Sequence, residues 1–167
     1  MALLIAMVYD DQESAEKALS TAKALESYGY LTIMDQTLVR KNDSGKVEMD
    51  EKKHPVGRGA FVGGVVGAIF GTAMLMPIAG AAAGAAVGAV IGHGNKGGAE
   101  DFKTFCEDVA KDLPSGGAAV VLLGSTEGPE RVIHDLGQSG GRLYTHDLHD
   151  DEVARIQKEI DRAAGQA

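Results

Sequence analysis

The sequence predicts an α+β fold interrupted by a long uncharged insertion, and three observations lead to this prediction. Two apolar runs, LLIAMV at residues 3–8 and AAVVLL at residues 118–123, have the length and composition of buried strands. Apolar residues recur at helical spacing after each run, as expected for amphipathic helices. Between these two parts, residues 59–92 contain no charged side chain, so a different kind of structure separates the two halves.

The first half of the chain has the pattern of a strand, a helix and a β-hairpin. Bounded apolar runs predict the strands, and apolar residues at helical spacing predict the helix between them. The sequence NDSG, at residues 42–45, predicts the hairpin turn. The predicted elements are a strand at Ala2–Tyr9, a helix capped by Asp10 or Asp11 and stopped at Gly29, and strands at Tyr30–Lys41 and Lys46–Glu51.

The second half begins after a predicted polar break, NKGGAED at residues 95–101. An amphipathic helix follows and stops at Pro114, and a strand–helix–strand unit comes next. The last helix has an apolar stripe that either packs on its own sheet or joins another subunit. The predicted elements are a helix marked by Phe102, Phe105, Cys106, Val109 and Leu113, a strand at Ala118–Leu123, a short helix from Pro129, a strand at Arg142–His146, and a last helix marked by Val153, Ile156 and Ile160.

Without the insertion, the order of elements is β-α-β with a hairpin strand, followed by β-α-β. This order predicts a ferredoxin-like split βαβ sandwich, interrupted by a helical hairpin. The expected divisions are residues 1–56 and 95–167 for the two halves of the α+β domain, and 57–94 for the hairpin. A split βαβ sheet carries its own helices on one face, so we expect the insertion or another protomer to cover the other face.

Glycine recurs at every fourth position in two runs of the insertion, called the glycine ladders below. In an α-helix this spacing leaves a bare groove along one side, against which another helix packs closely. In water each glycine weakens a helix by about 1 kcal/mol relative to alanine, so the pattern needs a packed or lipid environment. Pro77 separates the ladders, which predicts a glycine-zipper hairpin. The ladders are Gly59, Gly63, Gly67 and Gly71, and Gly80, Gly84, Gly88 and Gly92.

The length and the flanks of the hairpin favour transmembrane helices. As helices, residues 59–76 and 77–92 are about 27 Å and about 24 Å long, close to the ~30 Å of a hydrocarbon core. Basic residues flank both ends, as expected for cytoplasmic loops. However, the tip AMLMPIAG has no polar residue, and the second half is mostly Ala and Gly. Three forms stay open: a spanning hairpin, a shallow one, and one buried in a soluble assembly.

Charge and cysteine content disfavour several classes of protein. The chain of 167 residues carries 16 basic and 24 acidic side chains, and this net charge of −8 argues against nucleic-acid binding. A single cysteine excludes an internal disulfide and suits a reducing compartment. We expect this residue, Cys106, to be a small buried hydrophobe. The apolar start of the sequence lacks a basic region, so we expect a strand there and not a signal peptide.

The order of these parts resembles one bacterial family. The resemblance is carried by the first strand ending in VYDD, by GRG before the uncharged ladders, and by AAVVLLGST leading into a short helix. These features are similar to the bacterial domain-of-unknown-function family numbered twelve sixty-nine, whose members are labelled predicted membrane proteins. The resemblance runs from Leu3 to about Ile160. It implies a ferredoxin-like frame split by a glycine-zipper hairpin, and it implies no activity.

Two sequence patterns resemble ligand sites, and neither predicts one strongly. His146 and His149, within THDLHDDE, are weak candidates for a metal site. Asp150 or Asp151 has another role as a helix N-cap, so we expect no metal. VGRGAFVGG lacks the lysine of a phosphate-binding loop and does not follow a buried strand. We therefore expect Arg58 at an interface, facing a lipid headgroup or a carboxylate of a neighbouring subunit.

The sequence contains no recognisable catalytic constellation. GSTEG, at residues 124–128, has its serine in the wrong place for a nucleophile elbow. We therefore expect a non-enzymatic protein without a cofactor that associates with itself through the ladders. We expect it at the cytoplasmic membrane, in contact with lipid and with its soluble part in the cytoplasm. The alternatives are a pore-forming or transport-related membrane protein, and a soluble oligomeric ligand-binding or regulatory module in the cytoplasm.

Overall fold

The computed structural model describes residues 1–49, 96–151, 153, 154 and 158. Within these residues the chain has an α+β architecture, which confirms the predicted class. The predicted hairpin at 57–94, with both ladders and Arg58, lies outside the described residues. The described elements, called the frame below, are β1 (Ala2–Tyr9), α1 (Gln12–Ser27), β2 (Thr32–Lys41), β3 (Val47–Met49), α2 (Lys96–Asp112), β4 (Ala118–Ser125), α3 (Pro129–Gly137) and β5 (Arg142–Leu148).

Helix α1 has the start and stop signals that the sequence predicts. Asp11 is its N-cap, and the Asp11 Oδ1 atom accepts a hydrogen bond from the Ser14 amide at 2.7 Å. This hydrogen bond is the main cause of the lowered pKa of Asp11. Gly29 has a φ of 76°, a left-handed conformation that ends the helix just after Ser27. The buried side of the helix consists of Ala15, Ala18, Leu19, Ala22 and Leu25.

The five strands form one antiparallel sheet in the order β3-β2-β4-β1-β5. Strand β4 lies between β1 and β2, and β5 lies on the other side of β1. Apart from the edge strand β3, strands from the two halves of the chain therefore alternate in the sheet. The two apolar runs predicted as buried strands are β1 and β4, which pair with each other along their whole length. Every residue of β1 is buried.

Each face of the sheet is covered by a helix of the same chain. Helices α1 and α3 pack on the face that contains Leu3 and Ile5. Helix α2 packs on the opposite face, against Leu4 and Ala6. The expectation that the chain's own helices lie on one face only is therefore wrong. The expectation fails because α2 follows the predicted hairpin in the sequence and is not the crossover helix of a βαβ unit. Its position is therefore not restricted to the face that α1 and α3 cover.

Several elements differ from their predicted bounds. Strand β2 begins at Thr32 and not at Tyr30, whose carbonyl oxygen instead accepts a hydrogen bond from Thr126. Helix α2 begins at Lys96, within the predicted polar break. Its two glycines lie in the first turn, where the backbone amides have no helical partner in any case. Strands β4 and β5 each extend two residues further than predicted, because their pairing with β1 continues to Ala2.

The chain turns into another helix after β5. Residue 150 is its first helical residue, and the Val153 amide donates to the His149 carbonyl oxygen at 3.1 Å. His149 therefore occupies the N-cap position that we expected for Asp150 or Asp151. Val153 packs against the core on the α2 side of the sheet, as expected if the stripe packs on its own sheet. The other two residues of the stripe, Ile156 and Ile160, lie outside the described residues.

Candidate functional site

The candidate site lies at the end of the sheet where β4 stops and α3 begins. The strand register places Ser125 of β4 opposite both Thr32 of β2 and Ala2 of β1. Thr126 follows directly, so we call this the Thr126 end of the frame. At the opposite end, called the Arg142 end, β5 begins at Arg142.

Thr126 holds this end of the frame together. Its side chain is buried, and its hydroxyl donates to the Tyr30 carbonyl oxygen at 2.7 Å and accepts from the Gly128 amide at 3.0 Å. Its own amide donates to the Met1 carbonyl oxygen at 3.1 Å. One residue therefore connects the start of β1, the loop before β2 and the start of α3.

Arg131, in the first turn of α3, contacts the loop before β2. The carbon at the centre of its guanidinium group lies 3.7 Å from the centroid of the Tyr30 ring. A cation at this distance from a tyrosine face is attracted by the ring quadrupole. The Arg131 Nε atom also lies 3.6 Å from the Asp135 Oδ2 atom, one helical turn away. Tyr28 is beside this contact, with its ring centroid 6.5 Å from that of Tyr30.

A cavity of about 550 Å³ opens beside these residues. Its wall includes the Tyr30 ring, the buried Leu31 and the hydroxyl residues Thr32 and Ser125. Arg131 also lines the cavity and supplies a cation. The volume suits a small organic molecule, since ligand pockets span about 300–1,000 Å³. The chemistry available is stacking on an aromatic ring, hydrogen bonding to hydroxyls and attraction to a charged group.

Both flanks of the ladder segment are directed toward the Thr126 end. Strand β3 runs antiparallel to β2, so the chain leaves Met49 in the direction of this end. Helix α2 finishes at the opposite end, where Asp112 contacts Arg142. Because α2 is 17 residues and about 24 Å long, its first residue, Lys96, lies toward the Thr126 end. The described chain therefore points toward the Thr126 end at Met49 and resumes toward that end at Lys96.

The two histidines of the weak metal candidate lie in different surroundings. His146 is buried on β5, with its ring centroid 5.4 Å from that of Phe102 and 6.0 Å from that of Phe105. His149 follows the strand and is exposed. Among the residues that the structure describes, no group of three or more His, Cys, Asp or Glu side chains could hold a metal ion.

Cys106 lies on the buried side of α2. Burial, with a smaller contribution from the Glu107 carboxylate, raises the pKa of its thiol to about 12. The thiolate is the reactive form of cysteine, so burial and the raised pKa lower the reactivity of this thiol near neutral pH. The prediction of a small buried hydrophobe is confirmed.

A polar network at the Arg142 end fastens α2 to β5. The Arg142 Nε atom lies 3.1 Å from the Asp112 Oδ2 atom, and its Nη2 atom donates to the Asp112 carbonyl oxygen at 3.1 Å. The Tyr144 hydroxyl donates to the same carboxylate. Desolvation and then this carboxylate raise the pKa of Tyr144 to about 12. These contacts close the end of a helix, so we assign the network a structural role.

The comparisons with known proteins identify a family. The model of a family described as a protein of unknown function, DUF1269, matches residues 60–161. The chain belongs to the DUF1269 family. The match to DUF1269 is shorter than the expected range from Leu3 to about Ile160, because it begins inside the first ladder and excludes β1 and β2. No curated protein matches the chain, and no solved structure matches it either.

The DUF1269 match includes one side of the candidate site and excludes the other. Thr126 and Arg131 lie inside it, whereas Tyr30 precedes it. Sequence reasoning weighed GSTEG only as a nucleophile motif and missed this cavity. Pro129, shortly after a buried strand, indicates the start of a helix. However, no local signal in the sequence shows that this helix start lies beside the loop before β2. The ladder glycines, from Gly59 to Gly92, and Arg58 lie outside the described residues. The packing and interface roles predicted for them therefore stay predictions.

Proposed function

We propose that this chain is a non-enzymatic protein that associates with itself through the two glycine ladders. The homo-oligomer is proposed to lie at the cytoplasmic membrane, with the frame in the cytoplasm and lipid as a second partner. The observation that carries this proposal is that β3 runs toward the Thr126 end as it reaches Met49, and that α2 begins toward the same end at Lys96. This arrangement is compatible with a hairpin that has both ends on the same side of a membrane.

The composition of the segment supports packing between ladders. Eight glycines at four-residue spacing cost a solvated helix on the order of 8 kcal/mol relative to alanine, so the helices need close neighbours. Small residues at this spacing allow two backbones to approach, which is how helices associate in lipid. Among the residues that the structure describes, no helix is both long enough and apolar enough to span a bilayer. The membrane proposal therefore rests on the ladders.

We also propose that the frame is ferredoxin-like and that the hairpin interrupts it. If β3 and α2 are set aside, the order along the chain is β1-α1-β2 followed by β4-α3-β5. In space these strands lie in the order β2-β4-β1-β5, all antiparallel. Alternation of strands from two βαβ units supports a split βαβ arrangement.

The surroundings of three side chains of catalytic types, all in the described part of the chain, support a non-enzymatic role. The Cys106 thiol is buried and has a raised pKa. The Thr126 hydroxyl is occupied as both donor and acceptor by backbone groups. His146 is buried against two phenylalanine rings. We therefore propose no reaction for the Thr126 end.

The cavity at the Thr126 end favours a second function, that of a soluble ligand-binding or regulatory module. Its volume of about 550 Å³ and its mixed lining suit a small organic molecule. A ligand that binds only the folded state raises the melting temperature with concentration. A thermal-shift screen on the full chain tests this function. A Tyr30→Ala variant that loses the shift would place the ligand in this cavity.

The first experiment separates membrane association from soluble assembly. The full chain is expressed without detergent, membranes are pelleted, and the supernatant is sized by light scattering. Protein that pellets and needs detergent supports the membrane proposal. A large discrete soluble particle supports self-association and contradicts membrane association. A soluble monomer contradicts both.

Substitutions in the ladders test the assembly surface directly. We expect Gly67→Leu and Gly84→Leu to disrupt the oligomer, because the added side chain blocks close approach of two helices. Gly137→Leu is the matched control, since Gly137 is an exposed residue of α3 where an added Cβ meets nothing within 4 Å. If Gly67→Leu keeps the native particle size and membrane partitioning, the ladders are not the assembly surface.

A further inference from the structure

We infer that Tyr28, Tyr30 and Met34 form a lipid-contacting surface at the Thr126 end of the frame. The inference rests on the proposed membrane association and adds to it a second contact, made by the frame and not by the ladders. The partner is the interfacial layer of a phospholipid bilayer, where the headgroups meet the acyl chains.

The distribution of exposed apolar side chains is the first observation. Within the described residues, the exposed large hydrophobic side chains are Met1, Tyr28, Tyr30 and Met34, at 54%, 75%, 40% and 39% exposure. All of them lie at or near the Thr126 end, since β2 begins at Thr32 and the first residue of β1 pairs beside it. Isolated exposed apolar residues are ordinary, but here they share one end of the frame.

The chemistry of these side chains fits a membrane interface. Tyrosine has an apolar ring and a polar hydroxyl, and it is enriched where hydrocarbon meets water. Arg131 lies over the Tyr30 ring and offers a cation to a phosphate group. Met34, the third residue of β2, supplies a flexible apolar side chain at the same end of the frame.

The course of the chain provides the second observation. Residues 50–95 connect Met49 to Lys96, and both of these flanks point toward the Thr126 end. Residues 59–92, in the middle of this segment, carry no charge. If the ladders enter a bilayer, this end of the frame is therefore the one that faces it.

The size of the surface favours lipid over a second copy of the chain. Three side chains, of which Tyr30 and Met34 are only about two-fifths exposed, form a surface far smaller than the about 800 Å² per partner that a stable protein interface buries. A bilayer imposes no such minimum, because the ladders already supply the anchoring. The surface is thus sufficient to orient an anchored frame.

The charge near the surface indicates which lipid to use. Glu127 lines the cavity beside Tyr30, and the Glu26 side chain accepts a hydrogen bond from the Ile33 amide close by. These carboxylates are repelled by anionic lipids, so a zwitterionic bilayer suits the surface better. The probe is therefore a phosphatidylcholine vesicle.

The chain contains no tryptophan, so single tryptophans can report on each end of the frame. Tyr28→Trp places the probe on the proposed surface. Ser44→Trp places it in the exposed turn between β2 and β3, at the opposite end. Both full-length variants are mixed with vesicles of phosphatidylcholine brominated near the carbonyl end of its acyl chains. Flotation measures binding, and tryptophan emission measures contact with the lipid.

We expect both variants to float with the vesicles, and we expect quenching and a shift to shorter wavelength for Tyr28→Trp alone. Flotation without quenching of Tyr28→Trp overturns the surface and leaves membrane association standing. Failure of both variants to float overturns the surface and the membrane part of the proposed function together. A blue-shifted Tyr28→Trp spectrum that is the same with and without vesicles means that protein covers the surface, which also overturns the inference.

Discussion

The guanidinium of Arg131 lies over the ring of Tyr30, with 3.7 Å between the guanidinium carbon and the ring centroid. The two residues belong to different halves of the chain and approach each other because β2 and β4 are paired. The contact fastens the start of α3 to the loop before β2. Both residues also form part of the cavity wall.

A double-mutant cycle measures this contact. We expect Arg131→Gln and Tyr30→Leu to show a coupling of about 0.5–1 kcal/mol in the free energy of unfolding, because the ring is partly exposed. Urea denaturation of the two single variants and the double variant gives the value. Asp135→Asn serves as the control, since it removes the Arg131 ion pair and leaves the ring contact. Additive single effects would show that the ring contact contributes nothing.

Gly117 tests the close packing where the chain enters β4. A Cβ atom at this position would lie 2.6 Å from the Tyr9 carbonyl oxygen and 2.8 Å from the Pro114 Cγ atom. We expect Gly117→Ala to lower the free energy of unfolding by about 1–3 kcal/mol, because backbone and a proline ring must move. Gly137→Ala is the control, as its Cβ meets nothing within 4 Å. Equal stability of the two variants would contradict the predicted overlap.

The raised pKa of Cys106 predicts a loss of stability at high pH. Burial raises this pKa to about 12, whereas the thiol of an unfolded chain has a pKa of about 8.5. Between these values the unfolded state binds fewer protons than the folded state, so the free energy of unfolding falls as pH rises. The slope approaches about 1.4 kcal/mol per pH unit for one proton.

Cys106→Ala isolates this effect. The variant lacks the thiol but keeps Tyr144, whose raised pKa acts in the same direction in both proteins. We expect the stability advantage of the natural protein over the variant to shrink from about pH 8 to about pH 11. Urea denaturation across this range measures the difference. Parallel pH profiles would mean that the Cys106 thiol titrates alike in the folded and unfolded chains.

Much of the frame is predictable from the sequence because its signals are local. The apolar runs of β1 and β4 have strand length, and the Asp11 cap and Gly29 stop bound α1. The stripe from Phe102 to Leu113 also indicates a buried helix face, and these residues are buried. Each of these signals depends on residues that are close together in the chain.

The position of α2 and the candidate cavity are not predictable in the same way. The apolar stripe of α2 shows that it is buried but does not show which face of the sheet it covers. Tyr30 and Arg131 come together only through the pairing of β2 with β4. Tyrosine is common in strands, so the sequence places Tyr30 in β2. In the structure its carbonyl oxygen accepts a hydrogen bond from Thr126, and the residue lies in the loop before the strand.

The alternating strand order has a consequence for the newly made chain. In the described part of the protein, β1 pairs only with β4 and β5, and both of them follow the ladders in the sequence. During synthesis the ladders therefore leave the ribosome while β1 still has no partner. The uncharged segment is therefore synthesised before the sheet can be completed, so the order of synthesis separates the appearance of the ladders from the folding of the frame.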